Sequence, residues 1–167
     1  MKAFAEILLL GILAGSPLVA TAAVQCSMPS GVTMAFGIYD DSSATAKDYS
    51  QSFTMSCCRT GSGSQNTVIS IAIGKSLNSN QINTRQMKNG ANADLMSYQL
   101  YYTSFGGTVW GDGVLGGSVF TQSVTTNRGC GNPQVVTISS PIYGRIFAQQ
   151  PVSAGGYTDT LTITVSP

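Results

Sequence analysis

Tyr157-Thr158-Asp159-Thr160-Leu161-Thr162-Ile163-Thr164-Val165-Ser166-Pro167 alternates, with Leu161, Ile163 and Val165 on one side and Thr160, Thr162 and Thr164 on the other. A period of two marks a strand with one face on a core and the other toward water. The pattern recurs upstream in Met34, Phe36 and Ile38, in Ile69, Ile71 and Ile73, in Met96, Tyr98, Leu100 and Tyr102, and in Val136, Ile138 and Ile142. No stretch carries the period of an amphipathic helix. Turn clusters separate the strands: Thr60 to Asn66, Asn89-Gly90, Phe105-Gly106-Gly107, Gly111-Asp112-Gly113 and Gly129 to Pro133, where glycine permits positive φ. Short strands at this spacing predict an all-β fold, an immunoglobulin-like β-sandwich.

Residues 1–22 read as a signal peptide that is removed, leaving a single domain over 23–167. Lys2 supplies the positive start, Ile7 to Ala14 an apolar run too short to span a bilayer, and Ala20-Thr21-Ala22 a small-residue cleavage site. No later segment is long and apolar enough to cross a membrane, so direct membrane insertion is not expected. Charged residues make up 9% of the chain, against roughly 25% in ordinary soluble domains. The surface therefore has to be built from Ser, Thr, Asn, Gln and Gly, and it repels its neighbours weakly. Without Lys2 and Glu6 the chain keeps seven basic and six acidic side chains, so no basic field is available to attract nucleic acid or anionic lipid.

Cys26, Cys57, Cys58 and Cys130 are an even set in an exported chain, which reads as two disulfides. In the run Phe53 to Cys58, Cys57 shares a face with Phe53 and Met55, and Cys58 shares the other with Thr54 and Ser56. Neighbours on a strand point apart. The expected pairs are Cys26 with Cys57 in the core and Cys58 with Cys130 near the surface. Closing the first loop, about 30 residues, is worth roughly 3–4 kcal/mol in the chain-entropy account. With no histidine and no Cys-x-x-Cys spacing, a metal site is not expected, nor is a cofactor.

Catalysis is not expected either. The commonest general base is absent, and the aspartates Asp40, Asp41, Asp48, Asp94, Asp112 and Asp159 sit mostly in turn contexts. Asp40-Asp41 is explained by a turn without an ion, and Gly61-x-Gly63 leads into a strand, not the helix N-terminus that a phosphate loop needs. Arg85 and Arg145 are expected to be structural, with stems on the sandwich and heads hydrogen bonded.

One ordered set of residues resembles the spore coat protein U domain family, which includes the pilins of archaic chaperone-usher pili. It comprises Cys26, Phe36-Gly37-Ile38-Tyr39-Asp40, Cys57, Gly74, Arg85-x-Met87, Leu95-x-x-Tyr98-x-Leu100-Tyr101, Trp110-Gly111-Asp112-Gly113, Tyr143-Gly144-Arg145-Ile146 and Gly156-Tyr157-x-Asp159-Thr160. The resemblance spans essentially the whole mature chain. It implies a sandwich lacking its seventh strand, with a groove beside the last strand at Tyr157, Leu161, Ile163 and Val165. A periplasmic chaperone would lend a strand there, an outer-membrane usher would export the subunit, and a neighbouring pilin subunit would then replace the chaperone's strand with its own N-terminal extension. The expected destination is the cell surface, reached through the periplasm, in a fimbrium or coat serving adhesion and biofilm formation.

Only Ala23, Val24 and Gln25 stand between the expected cleavage point and Cys26. At roughly 3.3 Å per residue they reach about 10 Å, against about 33 Å for a donor strand of ten residues. The resemblance then implies a subunit that accepts a strand without donating one, at the distal end of a fibre. Related chains commonly finish on an aromatic residue, whereas this one finishes Val165-Ser166-Pro167. The candidate adhesive loop is Val109, Trp110, Val114 and Leu115, beside flexible glycines; the competing expectation is that Trp110 is packed and Val114 and Leu115 cover the edge of the core. The other function class open to the sequence is a self-complete secreted sandwich acting as a coat component or carbohydrate-binding module.

Overall fold

The computed structural model describes residues 23–28 and 32–167, so the expected signal peptide at residues 1–22 lies outside the described residues. These contain strands and no helix: β1 (Val24–Ser27), β2 (Lys47–Gln51), β3 (Thr54–Arg59), β4 (Gln65–Ile73), β5 (Arg85–Asn89), β6 (Leu95–Tyr101), β7 (Phe120–Thr126), β8 (Gln134–Thr137), β9 (Ile142–Ile146), β10 (Tyr157–Thr158) and β11 (Ile163–Ser166). Every strand pair is antiparallel.

Two of the expected strands are interrupted, and the interruptions shape the sandwich. Val136, Ile138 and Ile142 do not share one strand, because Ser139-Ser140-Pro141 separates β8 from β9. Proline has no N–H to give a ladder, which makes it a natural breaking point. The partner strands break at the same level: β3 pairs with β8 and β2 with β9, and the Ile138 N–H donates to the Phe53 carbonyl across the bend. The described strands form three hydrogen-bonded sheets: β1-β3-β8 and the five-stranded β2-β9-β6-β5-β10, which meet at the bend, and the three-stranded β11-β4-β7. The five-stranded sheet is the broad layer and β11-β4-β7 the narrow one. The fold is an all-β, immunoglobulin-like sandwich with layers of unequal width.

The alternating Ile69, Ile71 and Ile73 of β4 are buried against Met96, Tyr98 and Leu100 of β6 and Ile142 and Ile146 of β9. Cys26 and Cys57 lie directly opposite in the β1–β3 ladder and are bonded; Cys58, on the other face of β3, is bonded to exposed Cys130. Trp110 is fully enclosed beside Phe53, Tyr102 and Phe120, and its indole N–H donates to the Ile71 carbonyl at 2.8 Å.

Arg85 is enclosed as well. Its Nη2 donates to the carbonyls of Ile73 (3.0 Å), Gly74 (2.9 Å) and Trp110 (2.9 Å), and its Nη1 to Gln99 Oε1 (2.7 Å). Burial lowers the guanidinium to about 10, so it is charged at neutral pH and held by carbonyl dipoles. Arg145 is half-exposed and forms a bidentate pair with Asp48 at 2.7 Å.

Candidate functional site

The last strand borders the narrow layer, and there the observed structure departs from a single strand over Tyr157–Pro167. β10 pairs with β5 of the broad layer, and β11 pairs with β4 of the narrow one. Residues 159–162 cross between the layers, and the Thr162 carbonyl accepts from the Gly74 N–H. The alternation continues through the crossing. Tyr157, Asp159, Leu161, Ile163 and Val165 are half-buried, and the residues between them are exposed. An inward carboxylate in such a row is costly unless bonded. Asp159 Oδ2 accepts from the Tyr98 hydroxyl at 2.7 Å, and Oδ1 accepts from the amides of Leu77 and Thr160 and from Asn78 Nδ2. Burial, then the bond to Asp159, pushes the Tyr98 phenol well above the usual tyrosine range. Asn78 Nδ2 also donates to the Thr158 carbonyl. This clamp fixes the last strand where it changes layers.

Across from this edge runs the segment 32–39. The sequence pattern predicts a strand here with Met34, Phe36 and Ile38 on one face. The observed segment is extended, but none of its main-chain groups is hydrogen bonded to another described residue. Val32, Met34 and Phe36 point inward onto the core, while Ile38 is 90% exposed. Gly37 sits between them at φ +74°, a left-handed conformation that breaks the alternation and turns Ile38 outward. Beyond it the Tyr39 hydroxyl donates to the Phe147 carbonyl at 2.9 Å and accepts from the Gln150 N–H at 2.8 Å, pinning the segment's end.

Two adjoining clefts lie between these borders. One, of about 570 Å³, is lined by Met28, Val32, Ile73, Leu100, Leu161 and Ile163 among others. The second, of about 680 Å³, continues past Phe36, Tyr39, Met96, Val152 and Tyr157. Met34, Phe36, Met87 and Tyr157 line both, making them one trough with an apolar floor and a polypeptide edge on each side.

Of the residues expected at the edge, Tyr157, Leu161 and Ile163 line the trough, and Val165 follows on the same face of β11. The sequence reading missed Tyr98, Asn78 and Asp159 as the clamp. Asp159 was legible as the one carboxylate within an otherwise apolar row. The candidate adhesive loop divides. Trp110 is a core residue and is withdrawn from it, since its indole belongs to the aromatic cluster; Val109 is half-buried beside it. Val114 and Leu115 are exposed, so they do not cover the edge of the core; their amides both donate to Asp112 Oδ1. These bonds hold the Asp112 carboxyl below the usual range, overcoming the opposing effect of burial.

No helix among the described residues is long and apolar enough to cross a membrane. No curated protein matches the chain. A family model does: the Spore Coat Protein U domain matches residues 13–164, nearly the whole chain, and the family is associated with extracellular fibres and coats. The chain, a disulfide-bonded sandwich with an open trough along its last strand, belongs to the Spore Coat Protein U domain family.

Proposed function

We propose that the protein is a structural, non-catalytic subunit of a chaperone-usher surface fibre, and that its trough accepts an extended strand from another polypeptide. The observation that carries this reading is the mismatch of layers: the narrow layer has three strands against five in the broad one, and between them the outer edge of β11 and the segment 32–39 have no backbone partner among the described residues. Unpaired edges and half-covered apolar side chains are both unfavourable in water. An incoming strand satisfies both at once, its backbone bonding to the two borders and its alternate apolar side chains entering the trough. A periplasmic chaperone provides that strand first, and a neighbouring subunit replaces it at the usher.

The packing of the residues after the expected cleavage point bears on the place in the fibre. With cleavage after Ala22, residues 23–27 are committed to their own domain: the Ala23 N–H donates to Thr60 Oγ1 and the Ala23 carbonyl accepts from the Thr60 N–H, and Val24 is buried in β1 opposite Arg59. They are unavailable to a neighbour, which supports a terminal subunit. Val114 and Leu115 are its candidate contacts. N-terminal sequencing of the mature protein tests this, because about ten residues retained ahead of Cys26 would suffice for a donor strand.

The main test compares periplasmic yield of the unfused chain with that of the chain carrying a C-terminal donor peptide of alternating apolar residues. The expected result is poor recovery alone and rescue by the fusion. A lone chain that accumulates, melts cooperatively and gains nothing from the fusion defeats the reading.

A further inference from the structure

The trough has open volume, yet its floor is dry. Ile73, Tyr98, Leu100 and Ile142 are at most 4% exposed. Segment 32–36 lies over that floor: a Cβ placed on Gly144 would be 2.5 Å from Phe36 Cζ and 2.8 Å from Met34 Cε. Gly144 occupies β9 between Leu100 of β6 and Tyr49 of β2, in ordinary backbone geometry, so the lack of a side chain makes room for the segment above it. The Phe36 ring sits 6.1 Å from Tyr49 and 6.4 Å from Tyr98. The segment's hold is by side chains alone, since residues 32–36 make no main-chain hydrogen bond to another described residue. It is tethered on both sides, by the Cys26–Cys57 bond before it and the Tyr39 hydroxyl after it.

We propose that residues 32–36 are a displaceable cover, which shields the apolar floor of the lone subunit and shifts off it to admit a donor strand. This rests on the strand-accepting reading. The two occupants differ in what they satisfy. The cover supplies apolar contact to the floor but leaves its own backbone without a partner among the described residues. A donor strand supplies the same contact together with hydrogen bonds to β11 on one edge and to the displaced segment on the other, so exchange runs toward the donor. Until then the cover lowers apparent affinity in proportion to the fraction of time it lies in place.

Gly144→Ala tests this without altering the cover, because the new methyl collides with both inserted side chains. Phe36→Ala, which removes the larger plug, is the second variant. The probe is a capped synthetic decapeptide with valine at alternate positions and threonine or serine between them. Against the wild-type protein, both variants are expected to bind it about tenfold more tightly, as for removal of a competing state that is nine-tenths populated. They are also expected to bind more of an apolar-surface dye when the peptide is absent. Hydrogen exchange on the wild type needs no variant: the amides of residues 33–36 should exchange quickly in the lone chain and slow when the peptide is added. Wild-type binding that neither variant improves, or protection of those amides in the lone chain equal to that of β4, overturns the cover and leaves the acceptor reading standing. A peptide that binds none of the three proteins overturns both.

Discussion

Two regions of one core are finished to different degrees. Around Arg85 and Trp110 every polar atom drawn into the interior is bonded: five contacts from the guanidinium, one from the indole, and a Gln99 amide that joins Arg85 to the Ile82 carbonyl. On the other side, segment 32–39 inserts apolar side chains into the same core, and its main chain bonds to no other described residue. A chain able to enclose an arginine with full satisfaction is not generally careless about polar groups. On the proposed strand-accepting reading, the closed side is finished within the domain and the other side is where a second chain would complete it.

The largest effect should come from the finished side. Arg85→Met strands the carbonyls of Ile73, Gly74 and Trp110 in a dry interior, and we expect a loss of about 3–5 kcal/mol by urea unfolding. Met34→Ala, in the half-buried segment opposite, should cost only about 1 kcal/mol, because a loosely held site collapses more readily around a lost side chain. Equal losses would break the comparison.

The clamp between the two regions sharpens it at intermediate size. Tyr98→Phe removes the donor to Asp159 Oδ2, at an expected cost of about 1–2 kcal/mol. The pH dependence has a definite sign. Tyr98 ionises at higher pH folded than unfolded, so its contribution is complete below about pH 10, the unfolded tyrosine value, and declines as pH rises above it. Tyr101 is shifted the same way by burial. Circular dichroism across that range should therefore show an alkaline loss of stability that Tyr98→Phe reduces without abolishing. A profile unchanged by the substitution would remove Tyr98 from the clamp.

The sequence revealed the inward rows of β4 and β6, because each side chain in them is judged by a single partner layer. It revealed the disulfide partners for a related reason: Cys57 and Cys58 must face opposite ways on one strand. The split of the last strand was not legible. Nothing in Thr160-Leu161-Thr162 breaks the alternation, and the crossing arises from the unequal widths of the two layers, a property of the assembled sandwich. The inserted strand pattern at Met34 and Phe36 was legible, but the lack of a partner was not, since pairing belongs to two segments and periodicity to one. Arg85 was legible as a structural arginine with a hydrogen-bonded head but without its partners, and Gly144 appeared only as a member of a resemblance. What each does is set by residues far away in the chain, three carbonyls for one and an overlying phenylalanine for the other.

The smallest stability effect should lie in the loop at Val114 and Leu115. Both side chains are exposed, and the loop is held by the Asp112 carboxylate through backbone amides that a substitution retains. Val114→Ser with Leu115→Ser should therefore leave unfolding free energy within about 0.5 kcal/mol of wild type. A larger loss would mean that the pair covers the core after all, placing the loop with the finished region around Trp110. With stability unchanged, binding of the purified protein to an apolar surface isolates the loop's own contribution. A drop in binding assigns the contact to Val114 and Leu115, and full retention takes adhesion away from this loop.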